Sequence, residues 1–262
     1  MIMNNEQIKK DVQEQFGKNA QNYVTSQSHA KGKDLGKLLE ISECKSNMSV
    51  LDIATGGGHV ANALAPLVKH VTALDLTKEI LKAAESFITS NGIKNVSFIE
   101  GSADELPFDE AVFDMITCRI AAHHFPEVHS FLKEAYRVLK PGGIFLLIDN
   151  VAPEQDDFDH FYNWVEKARD YSHQRAYKKS EWLRMTEEVG FELREMHRFE
   201  KDFHFETWCE KMSVSVDKKK ELTNIFLKAS GEVKKKFLVR DDDSDQIESF
   251  QGQSILMKMF KV

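Results

Sequence analysis

No stretch of this 262-residue chain approaches the roughly 18 consecutive apolar residues that a membrane helix needs, and Met1 to Asp11 is polar where a secretory leader would be apolar. A soluble, cytoplasmic protein without an integral membrane segment is expected. Cysteine is scarce: Cys44, Cys118 and Cys209 are odd in number, widely spaced and without a CxxC pair, which excludes a disulfide framework and gives no reason to expect zinc or any other metal. Positive charge is also short, with 35 Lys and Arg against 42 Asp and Glu and a formal net charge of −7. General affinity for a nucleic acid backbone is therefore not expected. No internal repeat occurs. The length suffices to bury roughly 70–75% of the unfolded surface without any staple.

What the chain does have is a regular alternation of apolar runs and amphipathic segments. Helical spacing over Ile8, Val12, Phe16 and Ala20 is followed by a polar loop through Thr25 to His29, and a second amphipathic helix covers Asp34 to Glu43. Strands are predicted to end near Ile53 and Asp75, and at Val96–Ile99, Phe113–Cys118 and Gly143–Asp149. Helices at His59–Val68, Glu79–Asn91 and Val128–Leu139 come between them. Lys140-Pro141-Gly142-Gly143 reads as a turn. Beyond Asp149 come an aromatic-rich helix, a helix over Lys179–Val189, a strand over Phe191–Phe199 and a terminal strand over Gln253–Phe260. The pattern predicts a doubly wound, mostly parallel α/β sheet of seven strands in a single domain. Residues 1–45 form a helical N-terminal cover, 46–150 a ligand-binding core, and 151–262 a second half with an insertion at 200–252, long enough to be a lid or a pocket wall.

The stretch Val50-Leu51-Asp52-Ile53-Ala54-Thr55-Gly56-Gly57-Gly58-His59-Val60 organises the whole. Glycines between a strand and a helix permit positive φ and expose bare backbone beside the unpaired N–H groups of a helix start, which is a ligand site. Gly56-x-Gly58-x-x-Ala61, with Asp75 about 20 residues on, satisfies the dinucleotide fingerprint. Asp52, four residues before Gly56, argues instead for a cationic ligand, since a carboxylate there would face two phosphate charges. In an open parallel sheet the ligand lies beyond the carboxyl ends of the strands. The loops after Ile53, Asp75, Ile99 (Gly101-Ser102-Ala103-Asp104) and Thr117 (Cys118-Arg119) all converge there.

Val50 to Gly58 resembles the first motif of class I S-adenosylmethionine-dependent methyltransferases, with Ala54 where that pattern usually has its first glycine. The likeness extends over Leu106-Pro107-Phe108 and Leu139 to Gly143. It is nearest to the small-molecule enzymes that include the ubiquinone and menaquinone C-methyltransferases. The resemblance implies S-adenosylmethionine as cofactor, S-adenosylhomocysteine as product and a small-molecule acceptor. It implies a cofactor set of Asp52, Ala54, Thr55, Gly56, Gly58, Asp75, Leu76, Ser102, Ala103, Asp104 and Arg119, with Tyr23 from a cover. Asp75 matches the acid that accepts from the ribose hydroxyls, Leu76 the residue beside adenine, and Ala103 the amide that reaches the ring. Ser102 stands where relatives commonly carry Asp.

A transfer to oxygen or to an acidic carbon needs a base. His123-His124, after the fourth strand, sit where relatives place residues near the methyl group and titrate near neutral pH; capping of Phe125-Pro126 is the other reading. His29 is a second candidate. Trp164, Trp208, Phe203 and Phe205 are expected either in an acceptor pocket or in ordinary core. A nicotinamide-dependent oxidoreductase and a non-catalytic nucleoside-binding protein remain the alternatives.

Overall fold

Near-continuous apolar runs become strands covered on both faces. The computed structural model describes residues 4–18, 24, 32–242 and 244–262. Strands β1 (Ser49–Ile53), β2 (His70–Asp75), β3 (Val96–Glu100), β4 (Phe113–Arg119) and β5 (Leu139–Val151) run parallel. With β6 (Phe191–His204) and β8 (Ile247–Lys261) they form the order β3-β2-β1-β4-β5-β8-β6, and the short β7 (Arg240–Asp241) pairs with β8. β8 is antiparallel to both of its long neighbours. The seven expected strands are all present in this mostly parallel sheet.

Each strand sends alternate side chains to opposite cores. Leu51, Ile53, Ile116, Phe145 and Leu147 join Phe131 of α5 (Val128–Val138) and Trp182 of α7 (Lys179–Val189) on one face. Val50, Met115, Ile144, Leu146 and Ile148 join Leu38 of α2 (Lys33–Ile41) and Val60 and Leu64 of α3 (His59–Leu64) on the other. Ile88 of α4 (Lys78–Ser90) completes that second face. No helix among the described residues is long and apolar enough to cross a membrane.

Two boundaries differ from the sequence reading. Lys140 to Gly143 is not a turn before β5 but a bulge within it: pairing steps from Phe113–Leu139 to Met115–Ile144, with Gly142 at φ 73° carrying the excursion. β6 and β8 also extend past their expected ends, because they pair with each other from Phe191–Lys261 to His204–Ser249. The intervening segment is thereby 205–246. It carries α8 (Phe205–Glu210), α9 (Val216–Leu227) and α10 (Gly231–Lys236), and Phe205, Trp208, Leu222 and Phe226 pack there against Val165 of α6 (Asp156–Arg169) and Phe250.

The order reverses between β1 and β4, and at their carboxyl ends the glycine turn leads into α3. Gly58, which the resemblance places in the cofactor set, packs closely against α4. It has φ 78°, and a Cβ there would lie 2.9 Å from Ile88 Cδ1 and 3.1 Å from Ala84 Cβ. Glycine is what lets α3 close onto α4. A side chain in the left-handed region costs roughly 1–2 kcal/mol, and overpacking adds to it. Gly58→Ala is expected to lower the unfolding free energy by about 2 kcal/mol or more, read from the midpoint of guanidinium denaturation; an unmoved midpoint would contradict this packing role.

Candidate active site

The turn after β1 is fixed by two buried carboxylates. Asp52, 1% exposed, accepts from Thr55 Oγ1 at 2.7 Å and from Thr117 Oγ1 of β4 at 2.6 Å. Burial pushes its carboxyl up to about 6 against the opposing effect of those hydroxyls. Asp75, at the end of β2, accepts from the Gly56 amide through Oδ2 and the Thr77 amide through Oδ1, both at 3.0 Å. Its carboxyl is also pushed up to about 6, by burial first, with the two amides opposing and Asp52 adding to the rise. Ala54 adopts φ 52°. That conformation explains why the resembled motif has glycine at this position.

A cavity opens above this turn, lined by Asp52, Ala54, Thr55, Gly56, Asp75, Leu76, Ser102, Ala103, Asp104 and Arg119 from the expected set. Four strand ends thus deliver ten of the twelve residues to one place. Gly58 does not line it, and Tyr23 lies outside the described residues, as does His29. Ser102 Oγ donates to Asp104.

The sequence reading missed the partners that hold these groups. α1 (Asn5–Lys18) lies over the cavity: Lys9, Val12 and Phe16, at helical spacing on one face, line it. Lys9 Nζ is 2.9 Å from Asp104 Oδ1, Gln13 Nε2 donates to Leu76 O at 2.9 Å, and the Phe16 ring meets His124 edge-on at 4.8 Å. Arg119 is clamped by Asp34 of α2, with Nε to Oδ2 at 2.9 Å and Nη2 to Oδ1 at 3.1 Å. Arg119 lines the cavity with its guanidinium held by Asp34.

Phe16, Ile120 and His124 also line a second, wider cavity toward β6, together with His123, Asn150, Lys201, Phe203 and Trp208. Ile120, at φ 56°, stands between the two, a conformation rare for a β-branched residue. Of the four aromatic candidates, Phe203 and Trp208 line this second cavity. Phe205 is core, and Trp164, 55% exposed, faces an outer groove beside α9.

The two histidines are not equivalent. His123 Nδ1 donates to Asp149 Oδ1 at 2.5 Å and its backbone N–H to Asp149 Oδ2 at 2.9 Å, so Nε2 keeps the lone pair. Burial alone would lower this imidazole, but the Asp149 carboxylate prevails and raises it. His124 is pushed down to about 4 by burial and then by His123, whose ring centroid is 4.2 Å away. Its ring shares a hydrogen bond with Ser172 Oγ at 3.2 Å and lies 3.9 Å from Asp170. His173, also lowered by burial and by the other two imidazoles, completes the cluster. Asp149 ended an apolar run and was visible as such, but nothing in the sequence joined it to His123.

Comparison with known proteins agrees with this architecture. Residues 44–229 match the model of a methyltransferase domain. The Bacillus subtilis (strain 168) methyltransferase YcgJ is 36% identical over 246 residues, 94% of this chain and 97% of the relative. A solved structure of a candidate methyltransferase from Bacillus halodurans C-125 is 56% identical, superposes with a TM-score of 0.86, and covers 88% of this chain and 99% of its own. The ubiquinone/menaquinone biosynthesis C-methyltransferase UbiE of Rickettsia felis is 35% identical over 125 residues, 45% of this chain and 50% of the relative. A doubly wound sheet with this strand order, a glycine turn flanked by two strand-end acids, and these likenesses together establish that the chain belongs to the methyltransferase family and is an enzyme of that class.

Proposed function

We propose that the enzyme uses S-adenosylmethionine and transfers its methyl group to a small molecule held in the second cavity. The observation that carries the cofactor is charge. Among the described residues Asp52 and Asp75 line the first cavity without an ion pair, while its two basic side chains, Lys9 and Arg119, are held by Asp104 and Asp34. A sulfonium and a ribose suit that wall; the two phosphates of a nicotinamide cofactor would meet carboxylates and no disengaged cation. The bound cofactor would supply a methyl group already activated by its positive sulfur.

The protein's part is to bind and align. Each Asp75 oxygen accepts one amide and retains capacity for a ribose hydroxyl. Leu76 and Ala103 flank the base, with Ser102 and Asp104 near its amino group. Thr55 and Gly56 offer backbone, and Asp52 faces the amino end. The segment 205–246 and the Phe203 and Trp208 side chains form the acceptor wall and act as a lid. Alignment of this kind is worth roughly 7–11 kcal/mol. Three free cysteines, at Cys44, Cys118 and Cys209, suit work in a reducing cytoplasm.

His123 is the base. Asp149 fixes its tautomer and supports the imidazolium that forms when Nε2 takes a proton from the acceptor. His124, held neutral, packs beneath Phe16.

Calorimetry tests the cofactor: S-adenosylmethionine and S-adenosylhomocysteine are expected to bind and NAD not to, whereas NAD binding with no response to the sulfur nucleosides would sink the reading. Asp75→Ala is expected to weaken the nucleosides by about tenfold to a hundredfold. In the wild type their affinity falls as pH drops through about 6, because Asp75 and Asp52 then take up protons.

With an acceptor in hand, His123→Asn is expected to lower kcat at least about 100-fold while S-adenosylhomocysteine affinity stays within twofold to threefold. Since the working base is unprotonated, the acid limb of the wild-type kcat profile lies above the ordinary imidazole value of about 6.5, and Asp149→Asn moves that limb downward. Near-normal turnover of His123→Asn would remove His123 from the chemistry.

A further inference from the structure

The carboxylates that line the second cavity are engaged. Asp34 holds Arg119, and Glu166 accepts from Arg169 Nη2 at 2.8 Å. Asp170 accepts the Ser172 amide at 2.9 Å and its hydroxyl at 2.6 Å. Glu200 accepts from Arg198 Nη2 at 3.1 Å, and Asp202 from Gln251 Nε2 at 3.0 Å. Deeper in, Asp149 is taken by His123. Asp34, Glu166 and Glu200 are thus ion-paired, while Asp170 and Asp202 accept from neutral donors.

Donors are differently placed. Lys201, partly buried on β6, gives one hydrogen bond, from Nζ to Asn150 Oδ1 at 3.0 Å. An ammonium has three N–H groups, so among the described residues two donors remain for the cavity. The same lining holds the apolar Phe16, Ile120, Phe199, Phe203, Trp208 and Met212 beside the charged side chains Lys33, Arg169, Arg198 and Lys211. A half-buried cation with spare donors beside aromatic side chains is one wall of a site for a molecule that joins an apolar part to an anion.

We propose that Lys201 anchors the carboxylate of the methyl acceptor, and that the enzyme's substrates are aryl or acyl carboxylic acids methylated at a second atom near His123. The proposal rests on the reading of the second cavity as the acceptor site. Two N–H groups of one ammonium match two carboxylate oxygens, and the charge-assisted bonds are stronger than those to a neutral amide. The anchor then fixes one end of the acceptor while its other end meets the imidazole.

Four charged groups act on Lys201, each from a different element: Asp34 of α2, Arg119 of β4, Asp149 of β5 and Glu166 of α6. Burial pushes the ammonium down to about 8, and Arg119 adds to this, while Asp34, Asp149 and Glu166 oppose it. The anchor is consequently cationic at neutral pH and discharges just above it. Carboxylate affinity should fall as pH rises through about 8.

The test uses the whole protein with and without saturating S-adenosylhomocysteine, and a panel of benzoate, phenylacetate, 4-hydroxybenzoate and medium-chain fatty acids. The matching carboxamides and amines serve as controls, with binding read by calorimetry and saturation-transfer NMR. Carboxylates are expected to bind at least tenfold more tightly than their carboxamides, and amines not at all. Lys201→Met should erase the tenfold preference and the decline above pH 8, while Lys201→Arg retains the preference to within fivefold and loses the decline. S-adenosylhomocysteine affinity, unchanged in both variants, reports that the fold and the first cavity are intact. Tighter binding of amines, an undiminished carboxylate preference in Lys201→Met, or no binding by any carboxylate would overturn the proposal. Failure of S-adenosylhomocysteine to bind the wild type would instead count against the cofactor reading, and leaves the carboxylate arm to be judged on the unliganded protein.

Discussion

The Asp52 carboxylate, enclosed at the end of β1, is the constraint on which the site depends. One oxygen takes the Thr55 hydroxyl of the glycine turn and the other takes Thr117 of β4, so a single side chain ties together the two strands between which the sheet order reverses. Those ties set the height of the turn, and with it the position from which the Gly56 amide reaches Asp75. A buried charge without a cation is expensive; here the cost is accepted at the one crevice that a cationic ligand would enter. An apolar residue at 52 would make a more stable sheet and a worse site.

The order of elements was legible because each is written in local pattern. Near-continuous apolar runs on β1, β4 and β5 gave strands covered on both faces, and Asn91-Gly92 marked a helix end that falls one residue from where α4 stops. The gathering of the candidate loops at one cavity was legible for a related reason, since loops that follow successive strands must open on the same edge. What stayed hidden was pairing across the chain. Arg119 meets Asp34 from 85 residues away, and His123 meets Asp149 across 26; no periodicity encodes either. The clamp on Arg119, which lines the first cavity, was therefore invisible, and His123 looked like its neighbour when only one of the two has a carboxylate at 2.5 Å.

The ends of β6 and β8 were misjudged for a different reason. From Arg198 to His204 the strand alternates between exposed charge and half-buried apolar or lysine side chains, because there it has left the covered part of the sheet and its inner face looks into a cavity. A polar residue on that inner face disguised the strand. Lys201 is that residue, so the feature that blurred the secondary structure is the one that gives the second cavity its chemistry.

α1 contributes little apolar area to the fold, with Ile8 and Gln15 its only residues described as buried. Among the described residues its hold on the site includes an ion pair to Asp104, a side-chain hydrogen bond to Leu76 O, an aromatic contact to His124 and a 3.5 Å bond from Gln15 to Met212 O. Contacts of these kinds are worth roughly 0.5–1.5 kcal/mol apiece, against the far larger cost of disturbing either sheet core. Detaching this helix is thus a local event, and it uncovers both cavities at once, since its contacts span the cofactor rim, the imidazole and the inserted segment. A cover held in this way would let both cavities open by the release of one helix, without borrowing any motion from the sheet.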